Sequence, residues 1–177
     1  AENGYPPAEY AYGEQLLKEK KTADAEAWLI KAYEHGIGAA NATLGALYFK
    51  EKKYQKALKH LSAAQSADAK HQLAQMYERG LGVKINFYRS YMLYTEALKL
   101  GQKKAKKDVA RLAKLKTGKE KAVFLRAIAE EIENLAKDAG VDSPKFLAYF
   151  KCGSINQLPS KEYKNAIAAI KAKAAKK

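Results

Sequence analysis

Disulfides, β-sheets and membrane spans are all poorly provided for in this chain. A single cysteine, Cys152, rules out an internal disulfide framework. Only four prolines occur in 177 residues, and runs of β-branched residues are scarce, so little interrupts helix or favours strand. No apolar run approaches the ~18 residues a membrane helix needs. Histidine is limited to His35, His60 and His71. A zinc site built on His60 and His71 would lack two ligands that the spacing does not offer. No strand precedes Gly80-Leu81-Gly82, which therefore reads as a turn and not as a phosphate loop. Cys152 stands beside Lys151 with no histidine nearby in sequence, so it reads as an inert thiol. Asn41-Ala42-Thr43 matches a glycosylation triplet but falls inside a helical pattern. Nothing here assembles a catalytic constellation, a metal site or a cofactor site, and the expectation is a non-enzyme without cofactors.

What the chain does have is alanine, small residues at regular intervals, and lysine. Hydrophobic residues make up 47%, enough to bury a core. The formal net charge is +14. Residues 1–100 carry 14 Lys/Arg against 11 Asp/Glu, and residues 101–177 carry 19 against 8, so the basicity belongs to the second half. That half could meet an acidic partner.

The small residues repeat. Ala8-Tyr12-Gly13, Ala40-Leu44-Gly45, Ala69-Leu73-Ala74 and Ala105-Val109-Ala110 share one spacing, followed by Leu16, Tyr48, Tyr77 and Ala113. A second pattern follows each: Ala25, Trp28, Leu29, Ala32, Gly36; Ala57, His60, Leu61, Ala64, Asp68; Ser90, Leu93, Tyr94, Ala97, Gly101; and, more weakly, Ala122, Leu125, Arg126, Ala129, Glu133. Each set lies on one helical stripe, with small residues where two helices cross. Gly36 and Gly101 suit left-handed helix caps. The two patterns lie equally far apart in repeats one, two and four. Repeat three is longer by one turn insertion, Gly80-Leu81-Gly82-Val83. No helix pair buries its apolar face alone, so the pairs must stack. The expected fold is all-α: a right-handed α-solenoid of about four helix-turn-helix repeats with a C-terminal helical cap.

Residues 69–101, through Leu73, Tyr77, Gly80-Leu81-Gly82-Val83, Ser90, Tyr94, Ala97 and Gly101, resemble the Sel-one-like repeat, a variable-length relative of the tetratricopeptide repeat. The resemblance extends over about residues 8–133. It departs from the family pattern at Ala74, where glycine is usual, at Asn86, where an acidic residue is common, and in the short turns of repeats one and two. The expected divisions are an extension at 1–7, repeats at 8–39, 40–68, 69–104 and 105–133, and a cap or small module with a basic tail at 134–177.

Within that last segment a helix carries Phe124, Ile128, Ile132 and Leu135 on one face and ends near Gly140. Asp142-Ser143-Pro144 starts a short helix with Phe146, Leu147, Tyr149 and Phe150, stopped by Gly153. Pro159-Ser160 opens a last helix with Tyr163, Ala166, Ile167 and Ile170. Residues 135–170, through Phe146 to Phe150 and Leu158-Pro159, are similar to the small C-terminal domain of phage single-strand-annealing proteins.

The family resemblance implies a concave face lined by the first helix of each pair. Its exposed positions fall two, six and ten residues after each first alanine. They are Tyr10, Glu14 and Lys18; Ala42, Ala46 and Lys50, with Phe49 adjoining; His71, Gln75 and Arg79; and Lys107, Arg111 and Leu115, with Lys104 and Lys114 adjoining. Such a groove changes from aromatic and acidic, through small residues, to basic, and fits a protein or peptide partner with an acidic end. The expected function is a monomeric protein-interaction scaffold. The alternative is nucleic-acid or other polyanion binding through the basic half and Tyr149, Phe150 and Tyr163, although no groove-reading motif is recognisable. A third reading places the lysines against anionic lipid or wall polymers. The first residue is Ala1, as a cleaved secretory signal would leave it, so a periplasmic or secreted location is expected, with the cytoplasm as the alternative.

Overall fold

The structure, a computed structural model, describes residues 5–115, 121–141 and 163–175. Among these, all regular elements are helices: α1 (Pro6–Lys18), α2 (Thr22–Glu34), α3 (Ala39–Lys50), α4 (Tyr54–Ala63), α5 (Ala67–Arg79), α6 (Phe87–Lys99), α7 (Ala105–Leu115), α8 (Lys121–Asp138) and α9 (Tyr163–Ala174). The all-α class and the packing of neighbouring helices in pairs are as the small-residue spacing predicts.

The described residues up to 85, with 90–109, form one compact unit; 86–89 and the described residues from 110 onward form a second. In the first unit α1 packs on α2 and α3 on α4, while α2 meets α3, α4 meets α5 and α3 meets α5. That is the order of stacked hairpins. The predicted stripes supply most of its core: Leu29, Leu44, Tyr48, Leu61, Leu73 and Tyr94 are all buried. In α5 the buried large residue is also Met76, which the spacing did not single out, while the expected Tyr77 is half-buried.

Small residues set the helix separation. A β-carbon on Gly13 would lie 2.8 Å from Leu29 Cγ, and one on Gly45 would lie 2.6 Å from Leu61 Cδ2. The equivalent Ala74 is also fully buried, so repeat three makes its crossing with a methyl group in place. In α7 the pattern weakens: Ala105 and Leu112 are buried, but Ala110 is exposed.

The turns show what the spacing left open. In repeats one and two the hairpin closes through Lys20 (φ 63°) and Lys52 (φ 58°), each twelve residues after its first alanine and each left-handed without being glycine. The longer turn of repeat three instead uses Gly80 (φ 70°) and Gly82 (φ 69°). Its insertion is anchored on α4, because Gln55 Nε2 donates to the Gly82 carbonyl at 2.9 Å. Gly36 and Gly101 adopt the left-handed conformation expected of them. Ser66 caps α5 by accepting from the Ala69 N–H at 3.2 Å. Asn86 takes the acidic residue's place without losing the cap, since its Oδ1 accepts from the Arg89 N–H at 2.8 Å.

In the second unit α8 and α9 pack together, burying Ile128, Ile132, Ala166 and Ile170. Arg89 Nη1 lies 3.7 Å from Glu131 Oε2. The expected short helix with Phe146, Leu147, Tyr149 and Phe150, and Cys152 with it, lie outside the described residues, as do Asp142, Pro159 and Ser160.

Candidate partner-binding face

The first helices α1, α3 and α5 carry the expected groove positions of the first unit. α3 and α5 turn their first-alanine stripes inward, whereas α1 buries only Gly13 and Leu16 of its stripe and leaves Ala8 and Tyr12 exposed; the residues two, six and ten places after each first alanine lie towards the other side. Lys18, Lys50 and Arg79 are exposed, while Tyr10, Glu14, Ala42, Ala46, Phe49, His71 and Gln75 are half-buried. Phe49 lies edge-on to Tyr54, with ring centroids 6.2 Å apart. Lys104 and Lys107 are exposed where α7 begins. Arg111 and Lys114 are exposed in the second unit. The Leu115 side chain lies outside the described set.

Two of these residues serve the stacking itself. The Tyr10 phenol donates to Glu14 at 2.6 Å, so the Thr43 hydroxyl, 3.0 Å away, donates to the phenol oxygen. Burial first, and the Glu14 carboxylate second, raise the Tyr10 pKa above its ordinary value. His71 Nε2 donates to Asp108 Oδ2 at 3.1 Å, and its ring meets Tyr94 edge-on at 5.0 Å. The contacts are equivalent: the residue two places after one first alanine bonds the residue three places after the next. The sequence shows polar residues at these places, but the spacing of small residues gives no reason to pair them.

Other polar links between helices went equally unforeseen. The Tyr48 phenol donates to Glu26 Oε1 at 2.7 Å, joining α3 to α2. That hydrogen bond, with Lys56 and Lys53 nearby, holds the Glu26 carboxyl below its ordinary pKa. Tyr94 donates to Glu78 Oε2 at 2.9 Å, joining α6 to α5. His35, next to Gly36, places Nδ1 2.6 Å from Glu9 Oε2.

His60 is buried, as its packing position predicts, between the rings of Tyr33 (5.3 Å) and Tyr48 (5.6 Å). Its Nδ1 donates to Asn41 Oδ1 at 3.0 Å, which fixes the proton on that nitrogen. Burial first, then Lys59 and Lys56, pushes its pKa down, so the folded protein holds it neutral. As pH falls below about 6.5, the unfolded chain takes up a proton that the folded one resists, so stability present above that pH is lost. Melting temperatures of the wild type and His60→Gln between pH 7.5 and 5 should therefore converge towards acid pH. Parallel curves would remove His60 from the pH response.

No described helix is long and apolar enough to cross a membrane. Among the described residues no group of three His, Cys, Asp or Glu could hold a metal ion.

No family model matches the chain. No solved structure matches it either. One curated relative is the ERAD-associated E3 ubiquitin-protein ligase component HRD3 of Candida glabrata, 30% identical over 135 residues. That similarity covers 75% of this chain, so it is not confined to one repeat, while the chain spans only 16% of the relative's length. Nothing in these comparisons supports the resemblance of residues 135–170 to phage single-strand-annealing proteins.

Proposed function

We propose that this chain is a non-catalytic scaffold of the Sel-one-like type, which binds a protein or peptide partner across α1, α3 and α5. The observation that carries the reading is the repeated division of these helices. In α3 and α5 one stripe is buried in stacking, and the opposite positions carry the half-buried Ala46, Phe49 and Gln75 and the exposed Lys50 and Arg79. The relative described as a ligase component supports a role in assembly over one in chemistry. A photo-crosslinking residue placed at Lys50 should capture a protein in cell extract, and the same residue at Lys59 on α4 should not. Equal capture from both positions, or none from Lys50, would sink the groove.

A second reading, polyanion binding, is favoured by one specific feature. Lys103, Lys104, Lys106 and Lys107 are all exposed around the start of α7, where the helix dipole disfavours cations by about 0.3–1 kcal/mol each. A steep fall of RNA affinity with salt would be its signature.

A further inference from the structure

Between α6 and α7 the chain turns a tight corner. Gly101 closes α6 in the left-handed conformation (φ 99°), its N–H bonded to the Leu98 carbonyl at 3.0 Å and the Gln102 N–H to the Ala97 carbonyl at 2.8 Å. The Gln102 carbonyl then accepts from the Ala105 N–H at 3.1 Å, and its side-chain Oε1 from the Lys104 N–H at 3.2 Å, which starts α7. Its Nε2 donates to Asp68 on α5. These bonds hold residues 99–107 in one place on the first unit.

That corner is basic to a degree its fold does not require. Lys99, Lys103, Lys104, Lys106 and Lys107 are all exposed, five cations in nine residues. Four of them sit around the start of α7, where they work against the helix dipole. The nearby acids are engaged: Asp108 with His71 at 3.1 Å, Glu96 with Lys70 at 3.8 Å, and Asp68 with Gln102. Among the lysines, Leu100 is 53% exposed. The residue at the same place in repeat one is His35, bonded to Glu9, so the turn has no need of an apolar side chain there. One exposed leucine is ordinary on a protein surface, but here it shares a short, fixed corner with five lysines.

We infer that this corner docks on an anionic bilayer surface, with Leu100 entering the headgroup boundary and the lysines among the acidic headgroups. This docking rests on the polyanion reading above, with the bilayer as the polyanion. RNA recognition draws on arginine forks and stacked aromatic rings. Residues 99–107 contain no arginine and no aromatic residue. Interfacial docking needs what they do contain, lysines at headgroup level beside an apolar side chain. The long apolar stem of lysine also lies along such a boundary while its charge stays in water. Near an anionic surface each lysine strengthens binding by about fivefold, so the corner needs no pocket.

The test is co-sedimentation of the full chain with phosphatidylcholine vesicles, with and without phosphatidylserine, beside anisotropy of a labelled RNA. The chain should bind only the serine-containing vesicles. Lys103→Glu with Lys107→Glu should weaken that binding by about tenfold or more. Glutamates suit the start of α7 better than lysines, so the loss would not stem from unfolding. Lys18→Glu with Lys50→Glu makes the same charge change on the last turns of α1 and α3. It should stay within about twofold at physiological salt, where screening confines a charge to about 8 Å. Leu100→Ser should weaken vesicle binding by about threefold or more and leave any RNA binding unchanged. Leu100→Trp should bind as tightly as the wild type, and its emission should move to the blue on the vesicles, over the signal of Trp28 alone in the wild type. Equal losses from both charge pairs, vesicle binding indifferent to Leu100→Ser, or no blue shift in bound Leu100→Trp would each overturn the inference. If RNA binds and the anionic vesicles do not, the polyanion reading survives and the bilayer falls. If neither binds, both fall.

Discussion

Cutting Leu61 back to alanine is expected to destabilise the first unit by about 2–5 kcal/mol, and Gly45→Ala by about 0–2 kcal/mol, yet the double variant should cost less than the sum. The reason is that both changes act on one crossing. Leu61 is fully buried, and its Cδ2 and Cγ would lie 2.6 and 2.7 Å from a β-carbon on Gly45. The Leu61 backbone nitrogen is 3.1 Å from the same point, so the side chain must give way first. A methyl group there overpacks the crossing at a cost of about 1–3 kcal/mol, offset by about 1 kcal/mol from the better helix propensity of alanine. When Leu61 is already alanine, the added methyl enters the space its side chain has left. Denaturant unfolding of the four proteins should give a coupling of about 1 kcal/mol or more in favour of the double variant. Strict additivity would show that the helices can separate freely, and that glycine is not what sets their distance.

The same crossing explains how much of this fold could be read in advance. Small residues at a helix crossing leave a sequence signal because nothing larger fits, so Gly13, Gly45 and Ala74 announce α1, α3 and α5. Buried apolar stripes announce themselves through the 3.6-residue period. Turn closure does not: Lys20 and Lys52 hold left-handed conformations that their residue type gives no reason to expect. The short turns of repeats one and two were therefore legible as departures from the family pattern but not as geometry.

The candidate site was legible in outline and not in wiring. Its positions follow from helical phase, which is why Lys50 and Arg79 are exposed where the phase puts them. Which of them are free follows from the neighbouring repeat, and phase says nothing of that. Tyr10 and His71 read as partner-facing residues, yet both are bonded to the next first helix. The unpartnered Gln72 Oε1 stands out only once Thr43 and Asp108 are seen to be bonded at the same repeat position. A pattern of single residues shows faces; pairs become visible only once the register between repeats is known.

Register also governs the second large effect, at the position seven residues after each first alanine. Leu47, Met76 and Leu112 occupy it in repeats two to four at 8%, 0% and 0% exposure, but repeat one has Gln15, which is exposed. Met76→Gln is close to isosteric, so it tests polarity without opening a large cavity. It should lose about 1.5–3 kcal/mol of apolar burial and leave an amide short of partners at about 1–3 kcal/mol, giving about 2.5–6 kcal/mol in all. Gln15→Met, the reverse change, should stay within about 0.5 kcal/mol. The Gln15 amide donates an exposed 3.0 Å hydrogen bond to Glu19, and Tyr12 beside it is itself 50% exposed. The two substitutions exchange the same residues at the same repeat position, so helix propensity cannot separate them. Only the presence of a packed neighbour can. A small effect at Met76 would mean that α5 can turn its stripe towards water, and the stacking order of α3, α4 and α5 would then lose its strongest support.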